Sequence, residues 1–317
     1  MFDIATLQRH IPASLKNALK PYYRTVFPNK LHVLFWVTFR CNYRCSYCPV
    51  VTKFDYTSLF PRSGERTVDE WLGAFAKLPP AMFYVSGGEP FMYRGLPQLI
   101  NRLDEKHTVL GVVTNGSVDM KVYREIEKPL HLNISFHNEF VSDDELMAKL
   151  EQLKEHFHLN VNIVATPANL PMIERVGERL RGRRVSLHVD PYVDPGFTYT
   201  PEQKRLLLKY LPPDRRYHLE NQLNSSDFAA KSCSAGKNYI NVLPNGDVFT
   251  CIGGADYLMS PLVRDIVRRG RVEARSLDVY RMGNLFDDSF QLRDEFMECR
   301  LPCKSACDFD SAIIKPL

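Results

Sequence analysis

The chain has 317 residues, 44% of them hydrophobic and 25% charged, which is enough for one large core, or one core plus a smaller module, and excludes a globally disordered chain. A net charge of +4, spread along the sequence, argues against the concentrated basic stripe of a nucleic-acid binder. No run approaches the ~20 apolar residues of a membrane span, and Met1-Phe2-Asp3-Ile4 has an early acid and no apolar leader core, so a cytoplasmic protein is expected.

Residues 1–30 read as a helical extension. From Gln8 to Phe27, basic residues alternate with Ile11, Leu15, Leu19 and Val26, a pattern that suits a helix packed on the body of the protein and also suits a membrane surface. From about residue 32 to 192, short apolar runs alternate with longer amphipathic ones, within a domain expected to span 31–224. The expected strands are His32–Phe39, Met82–Ser86, Val109–Thr114, Leu132–Phe136, Val161–Ala165 and Val185–Asp190. Several are rich in Val, Ile and Phe and read as buried on both faces, as parallel strands are. Thr67-Val68-Asp69-Glu70 is a capping box opening a helix through Leu78, and Leu96–Leu103 and Asp143–Phe157 are further helices. The basic run Arg181-Gly182-Arg183-Arg184 reads as a solvated turn. Six β/α units in series predict an α/β fold, a partial (β/α)6 TIM-like barrel with chemistry at the strand C-terminal ends; periodicity alone also fits an open doubly wound sheet.

Prolines 191, 195, 201, 212 and 213 then punctuate a short helix, Gln203–Tyr210. A module at 225–317 contains Tyr239–Leu243 and Val248–Ile252 around Pro244-Asn245-Gly246-Asp247, a strong hairpin signal.

The eight cysteines fall into two groups, 41, 45 and 48, and 233, 251, 299, 303 and 307. In a large chain without a leader, clustered cysteines read better as metal ligands than as disulfides. Cys41-x3-Cys45-x2-Cys48 places three thiolates on one loop after the first strand, suited to an iron–sulfur cluster or to zinc completed by a distant ligand. Three ligands on a four-iron cluster leave one iron open.

This loop, with Tyr47 before its last cysteine, resembles the signature of the radical S-adenosylmethionine (SAM) superfamily, and Ser86-Gly87-Gly88-Glu89-Pro90 resembles that family's second motif. The resemblance covers residues 30–192. It implies a [4Fe–4S] cluster on Cys41, Cys45 and Cys48, SAM chelated at the open iron, Tyr47 near the adenine, and Gly87, Gly88 and Glu89 beside the SAM amino group. Ser135 and His137 would contact the SAM ribose or carboxylate. Thr114-Asn115-Gly116 is a further echo, whereas Val164-Ala165-Thr166-Pro167 lacks the family's glycine-rich adenine motif.

The second cysteine group resembles the twitch module, a shortened SPASM domain. It implies an auxiliary Fe–S cluster, a [4Fe–4S] one, on four of Cys233, Cys251, Cys299, Cys303 and Cys307; a structural zinc is the alternative. The C-x3-C-x3-C tail departs from the SPASM pattern.

The chemistry so implied is that of an oxidoreductase or related radical enzyme. A flavodoxin or ferredoxin supplies an electron, SAM is cleaved to a 5′-deoxyadenosyl radical, and hydrogen is abstracted from an organic substrate, preferentially a small molecule of natural-product or sugar-like type. A maturase of a ribosomal peptide and a two-zinc binding protein are the rival readings. Glu139, His137, His188 and Asp190 sit near strand ends as candidate bases, each with a plain structural role as its alternative.

Overall fold

The computed structural model describes residues 31–48, 50, 60, 64–192, 197–211, 230–259, 278–299 and 314–316, all within one compact unit, Leu31–Leu317. The expected N-terminal helix and Cys303 and Cys307 lie outside the described residues.

Six strands, β1 (Leu31–Thr38), β2 (Ala81–Gly87), β3 (Thr108–Thr114), β4 (His131–Ser135), β5 (His158–Ala165) and β6 (Val185–Pro191), pair in parallel, each with the next. Helices α1 (Val68–Ala76), α2 (Leu96–Arg102), α3 (Met120–Arg124), α4 (Asp143–Leu153) and α5 (Leu170–Leu180) fill the connections. A doubly wound sheet reverses its strand order at a switch point. Here the order never reverses, so the sheet is singly wound, the partial-barrel arrangement. The α1 capping box forms as expected, with Thr67 and Glu70 each holding the other's backbone N–H. Helix α5, which the sequence reading passed over, is amphipathic, with Ile173 and Val176 fully buried.

The helix-facing side of the sheet is apolar throughout. Val33, Phe35 and Val37 of β1 join Trp71 and Phe75 of α1 and Phe83 of β2 in one core, with the Phe35 and Trp71 rings 4.6 Å apart edge to face. The other face of β1 is buried too: Leu34 and Trp36 pack with Tyr239, Phe249, Cys233 and Cys251.

Burial on both faces does not extend across the sheet. In β5 every second residue is buried, Leu159, Val161, Ile163 and Ala165, while His158, Asn160, Asn162 and Val164 are only half-buried. β4 alternates in the same way. These strands carry one core face and one polar concave face, and β5 starts three residues before the expected Val161 because Asn160 belongs to that alternation.

After α6 (Pro201–Leu208) and β7 (Lys231–Cys233), the hairpin β8 (Tyr239–Val242) and β9 (Asp247–Phe249) extends the same sheet, with β8 parallel to β1 and β10 (Arg281–Asn284) outside β9. β9 is shorter than expected, because the chain turns at Cys251 into α7 (Ile252–Met259). β7 instead lies in a three-stranded sheet between β11 (Met297–Cys299) and β12 (Ile314–Pro316). The expected boundary at 224/225 thus divides segments that share one sheet. The basic turn at 181–184 is exposed, as its charge requires.

Candidate active site

The Cys41–Cys48 loop leaves the C-terminal end of β1 and is gripped by the loops that follow β2, β3 and β4. The β2 loop holds its root. Gly88 N–H donates to Thr38 O (2.9 Å) and Glu89 N–H to Arg40 O (2.7 Å). A Cβ at Gly87, where φ is +143°, would stand 2.1 Å from Thr38 O, and one at Gly88 would stand 2.3 Å from Arg40 O. Both glycines therefore serve a backbone-to-backbone approach, and the backbone approached is residues 38–40, immediately before the first cysteine. Arg40 is fixed in turn by Glu65 (2.8 Å) and by Met92 O (2.6 Å).

Glu89 is fully buried. Its Oε1 accepts from Phe91 N–H (3.1 Å) and Thr114 Oγ1 (2.8 Å), and its Oε2 accepts from Asn115 N–H (2.6 Å). The carboxylate expected at the SAM amino group is thus turned toward the end of β3 and tied to three donors of this chain. Burial pushes its carboxyl up to about 7, against the opposing pull of the three hydrogen bonds.

Glu89→Gln puts an amide N–H2 where a donor now points, leaving a backbone N–H of Phe91 or Asn115 unpaired at a cost of about 1–3 kcal/mol. The pH dependence has a definite sign. A carboxyl whose folded pKa is raised binds more protons folded than unfolded, so its contribution is present below the ordinary carboxylate value and lost as pH rises through about 7. Urea midpoints are expected to show wild type losing stability relative to the variant between acid and neutral pH. Parallel curves would contradict this.

The β3 loop holds the middle of the cysteine loop. Asn115 Nδ2 donates to Asn42 Oδ1 (2.9 Å) and lies 3.8 Å from Cys41 Sγ, and Asn42 Nδ2 donates to Ser117 Oγ (2.9 Å). The β4 loop holds the far end. Glu139 accepts from Ser46 N–H (2.9 Å) and Ser46 Oγ (2.6 Å), and Phe140 stacks on Tyr43 at 4.4 Å. Glu139, a candidate base in sequence, is thus occupied as a loop anchor.

His137 reaches into the loop: its Nδ1 is 2.7 Å from Tyr47 Oη and 3.2 Å from Cys45 Sγ. Burial pushes His137 down to about 4, so the imidazole is neutral at pH 7. With the proton on Nε2, Nδ1 accepts from the Tyr47 hydroxyl. Ser135 lies at the end of β4 beside Asn162 of β5. His188 and Asp190, on β6, touch each other at 3.1 Å.

Of the three loop thiols, Cys45 is buried and Cys41 and Cys48 are half-buried. Burial first, and neighbouring negative groups next, push Cys45 up to about 12. Burial also pushes Cys41 up to about 11. Cys41 and Cys45 therefore give up their protons only to a strongly bound metal. Among the described residues no three His, Cys, Asp or Glu side chains converge on the position of a single ion. A four-iron cluster takes each thiolate on a different iron, so soft donors spread along one anchored loop fit it.

Cys233, Cys251 and Cys299 share one buried cluster with Tyr280, Phe249 and Trp36. Cys251 stands at the N-terminus of α7, its Sγ accepting from Gly254 N–H (3.3 Å), and Tyr280 Oη donates toward Cys299 Sγ (3.8 Å). Asn241 and Thr250 are fully buried, and neither the Asn241 amide nor Thr250 Oγ1 has a partner among the described residues. Buried polar atoms of that kind call for a polar neighbour. Cys233, Cys251 and Cys299 are three soft donors gathered in one buried cluster.

Sequence reasoning missed the anchoring roles of Asn42, Ser117 and Phe140, which only the folded loops bring to the cysteines. It also missed Asn162, although the alternation Leu159-Asn160-Val161-Asn162-Ile163 signals a polar strand face.

The profile of the radical SAM superfamily matches residues 37–166. The GTP 3′,8-cyclase of Staphylococcus aureus (strain Mu3) is 34% identical over 96 residues, 28% of this chain and 28% of the cyclase. The chain therefore matches under a third of that relative's length. Native anSMEcpe with bound AdoMet superposes with a TM-score of 0.51 at 17% identity, over 82% of this chain and 79% of that one. SuiB of Streptococcus suis superposes with a TM-score of 0.54 at 15% identity, over 86% and 69%. At such identities the two structures establish a shared fold. The matched segment 37–166 contains all three loop cysteines, the Gly87-Gly88-Glu89 turn and the β3 and β4 anchors, and over that segment the chain is similar to the radical SAM superfamily.

Proposed function

We propose that this protein is a radical SAM enzyme acting on a small polar organic molecule, with Cys41, Cys45 and Cys48 as ligands of a [4Fe–4S] cluster. The observation that carries the reading is the triple anchoring of the cysteine loop by the β2, β3 and β4 loops. When bound, the cluster supplies an electron that cleaves SAM to methionine and a 5′-deoxyadenosyl radical able to abstract hydrogen from a substrate. The chain's own residues hold the geometry. Glu89 fixes the β2 turn to β3, Asn115 and Asn42 orient the start of the loop, and Glu139 pins Ser46 between Cys45 and Cys48. His137, neutral and bonded to Tyr47, fixes that ring at the loop's end, where it is available to stack on the adenine of SAM. Ser135, at the end of β4, completes the set facing SAM.

Cys233, Cys251 and Cys299, with Cys303 or Cys307, are the proposed ligands of an auxiliary Fe–S cluster that assists substrate oxidation or positioning. A flavodoxin or ferredoxin is the proposed electron donor. Among the described residues no helix is long and apolar enough to cross a membrane; the proposed compartment is the cytoplasm.

The test is anaerobic reconstitution with iron and sulfide, reduction, and chromatography of the products. Release of 5′-deoxyadenosine and methionine from SAM, slow without substrate, is expected. Stoichiometric zinc in the purified protein, with no SAM cleavage after reconstitution, would replace this reading with a two-zinc binding protein.

A further inference from the structure

The inner layers of a parallel barrel are ordinarily filled by Val, Ile and Leu. The concave faces of β4, β5 and β6 carry instead an almost unbroken polar surface joined by hydrogen bonds across the strands. Asn133 Nδ2 donates to Tyr84 Oη of β2 (2.7 Å), Asn160 Nδ2 to Asn133 Oδ1 (3.0 Å), and Ser186 Oγ to Asn160 Oδ1 (2.7 Å). One layer nearer the strand C-terminal ends, Asn162 Nδ2 donates to Asp190 Oδ2 (2.8 Å), and His188 Nε2 lies 3.1 Å from Asp190 Oδ1. Parallel pairing sets Ser135, Asn162 and His188 side by side.

The lower layer is self-satisfied and reads as a built wall. In the upper layer one atom is left over. Asn162 Oδ1 is buried and has no hydrogen-bond partner among the described residues. An acceptor left this way costs stability unless a donor arrives. Beside it stands Asp190, the only carboxylate on the concave faces of β4–β6, itself half-buried.

We propose that Asn162, His188 and Asp190 seat the substrate, and that the substrate is a hydroxylated molecule with a cationic amino group. Asn162 Oδ1 takes a hydroxyl or N–H donor and the Asp190 carboxylate takes the cation, with Asn162 and His188 holding that carboxylate in place. An apolar substrate would strip water from this wall without replacing its hydrogen bonds. The inference rests on the radical SAM reading for the reaction, but the wall is made by the strands alone.

Hydroxyl groups also occur on the SAM ribose, so the test separates the two sources. Iron content and SAM affinity are measured first on the holoprotein. D-glucosamine, an amino polyol, is then titrated by equilibrium dialysis at saturating SAM, beside cyclohexylmethanol as an apolar probe of similar size. Saturable binding of glucosamine alone is expected. Asp190→Asn and Asn162→Leu should each weaken it about tenfold or more, with SAM affinity unchanged. His188→Gln, which keeps a hydrogen-bonding group, serves as a second variant should either of these fail to fold. Intact iron and SAM binding with no uptake of glucosamine overturns the proposal. So does a loss of SAM affinity in the variants without a loss of glucosamine binding, since the wall would then seat the ribose. Glucosamine uptake by protein that binds neither iron nor SAM would support the seat and count against the radical SAM reading.

Discussion

Cys45→Ala is expected to reduce SAM cleavage to the level of a protein-free control while leaving the sheet folded. The expectation follows from where Cys45 sits. It is the buried member of the three loop thiols, and its neighbours Tyr43, Ser46 and Tyr47 are each tied to the β4 loop. Those ties do not involve the thiol, so the loop keeps its course when the sulfur is removed. Two thiolates then remain for a cluster that needs three, and the neighbouring His137 Nδ1, 3.2 Å from Cys45 Sγ, is engaged by the Tyr47 hydroxyl. Removing the buried sulfur leaves a small cavity, a cost of about 1–2 kcal/mol, well below the stability of an ordinary domain. Circular dichroism and thermal unfolding should therefore resemble those of wild type. Full SAM cleavage by the variant would show that the cluster lies elsewhere.

The double replacement Cys233→Ala with Cys251→Ala should remove about half of the iron if both sites hold four-iron clusters. SAM cleavage without substrate should survive, since the 41–48 loop and its three anchors lie on other strands. Turnover of the true substrate should fail, because the second cluster is proposed to accept an electron from the substrate or to position it. Both residues are buried in the cluster that covers the inner face of β1, so the variant needs its own control. Cys233→Ser with Cys251→Ser keeps the volume and loses the soft thiolate. Iron and zinc by mass spectrometry, with Mössbauer spectra of iron-57-labelled protein, decide the outcome. One four-iron cluster and one zinc per chain would remove the auxiliary cluster from the reading and leave the barrel chemistry intact.

The two groups of residues differ in how they could be read. Cys41-x3-Cys45-x2-Cys48 and Gly87-Gly88-Glu89 are contiguous, so their spacing carries the signal. The sequence does not say what the glycines approach or where Glu89 points. Both answers depend on β1 and β2 lying side by side, which puts Thr38 O and Arg40 O against the turn. Glu139 reads as a candidate base from its place at a strand end. Its partner, Ser46, is 93 residues earlier in the chain, and no local pattern joins the two.

The sequence by itself determined the six parallel strands to within a few residues, three of the helices that separate them and the three thiols on one loop, because these depend on periodicity and short spacing. Tertiary structure alone decided the rest. Periodicity sets which residues alternate but not which strand neighbours which, so only the unreversed order β1 to β6 distinguishes a singly wound sheet from a doubly wound one. The extension of that sheet by β8 and β9 was likewise hidden, because pairing between β1 and β8 joins segments some 200 residues apart. The polar wall shows the same limit. Asn133, Asn160, Asn162 and Ser186 are unremarkable one at a time, and they become a surface because parallel register sets them side by side and strand alternation turns them to the concave face.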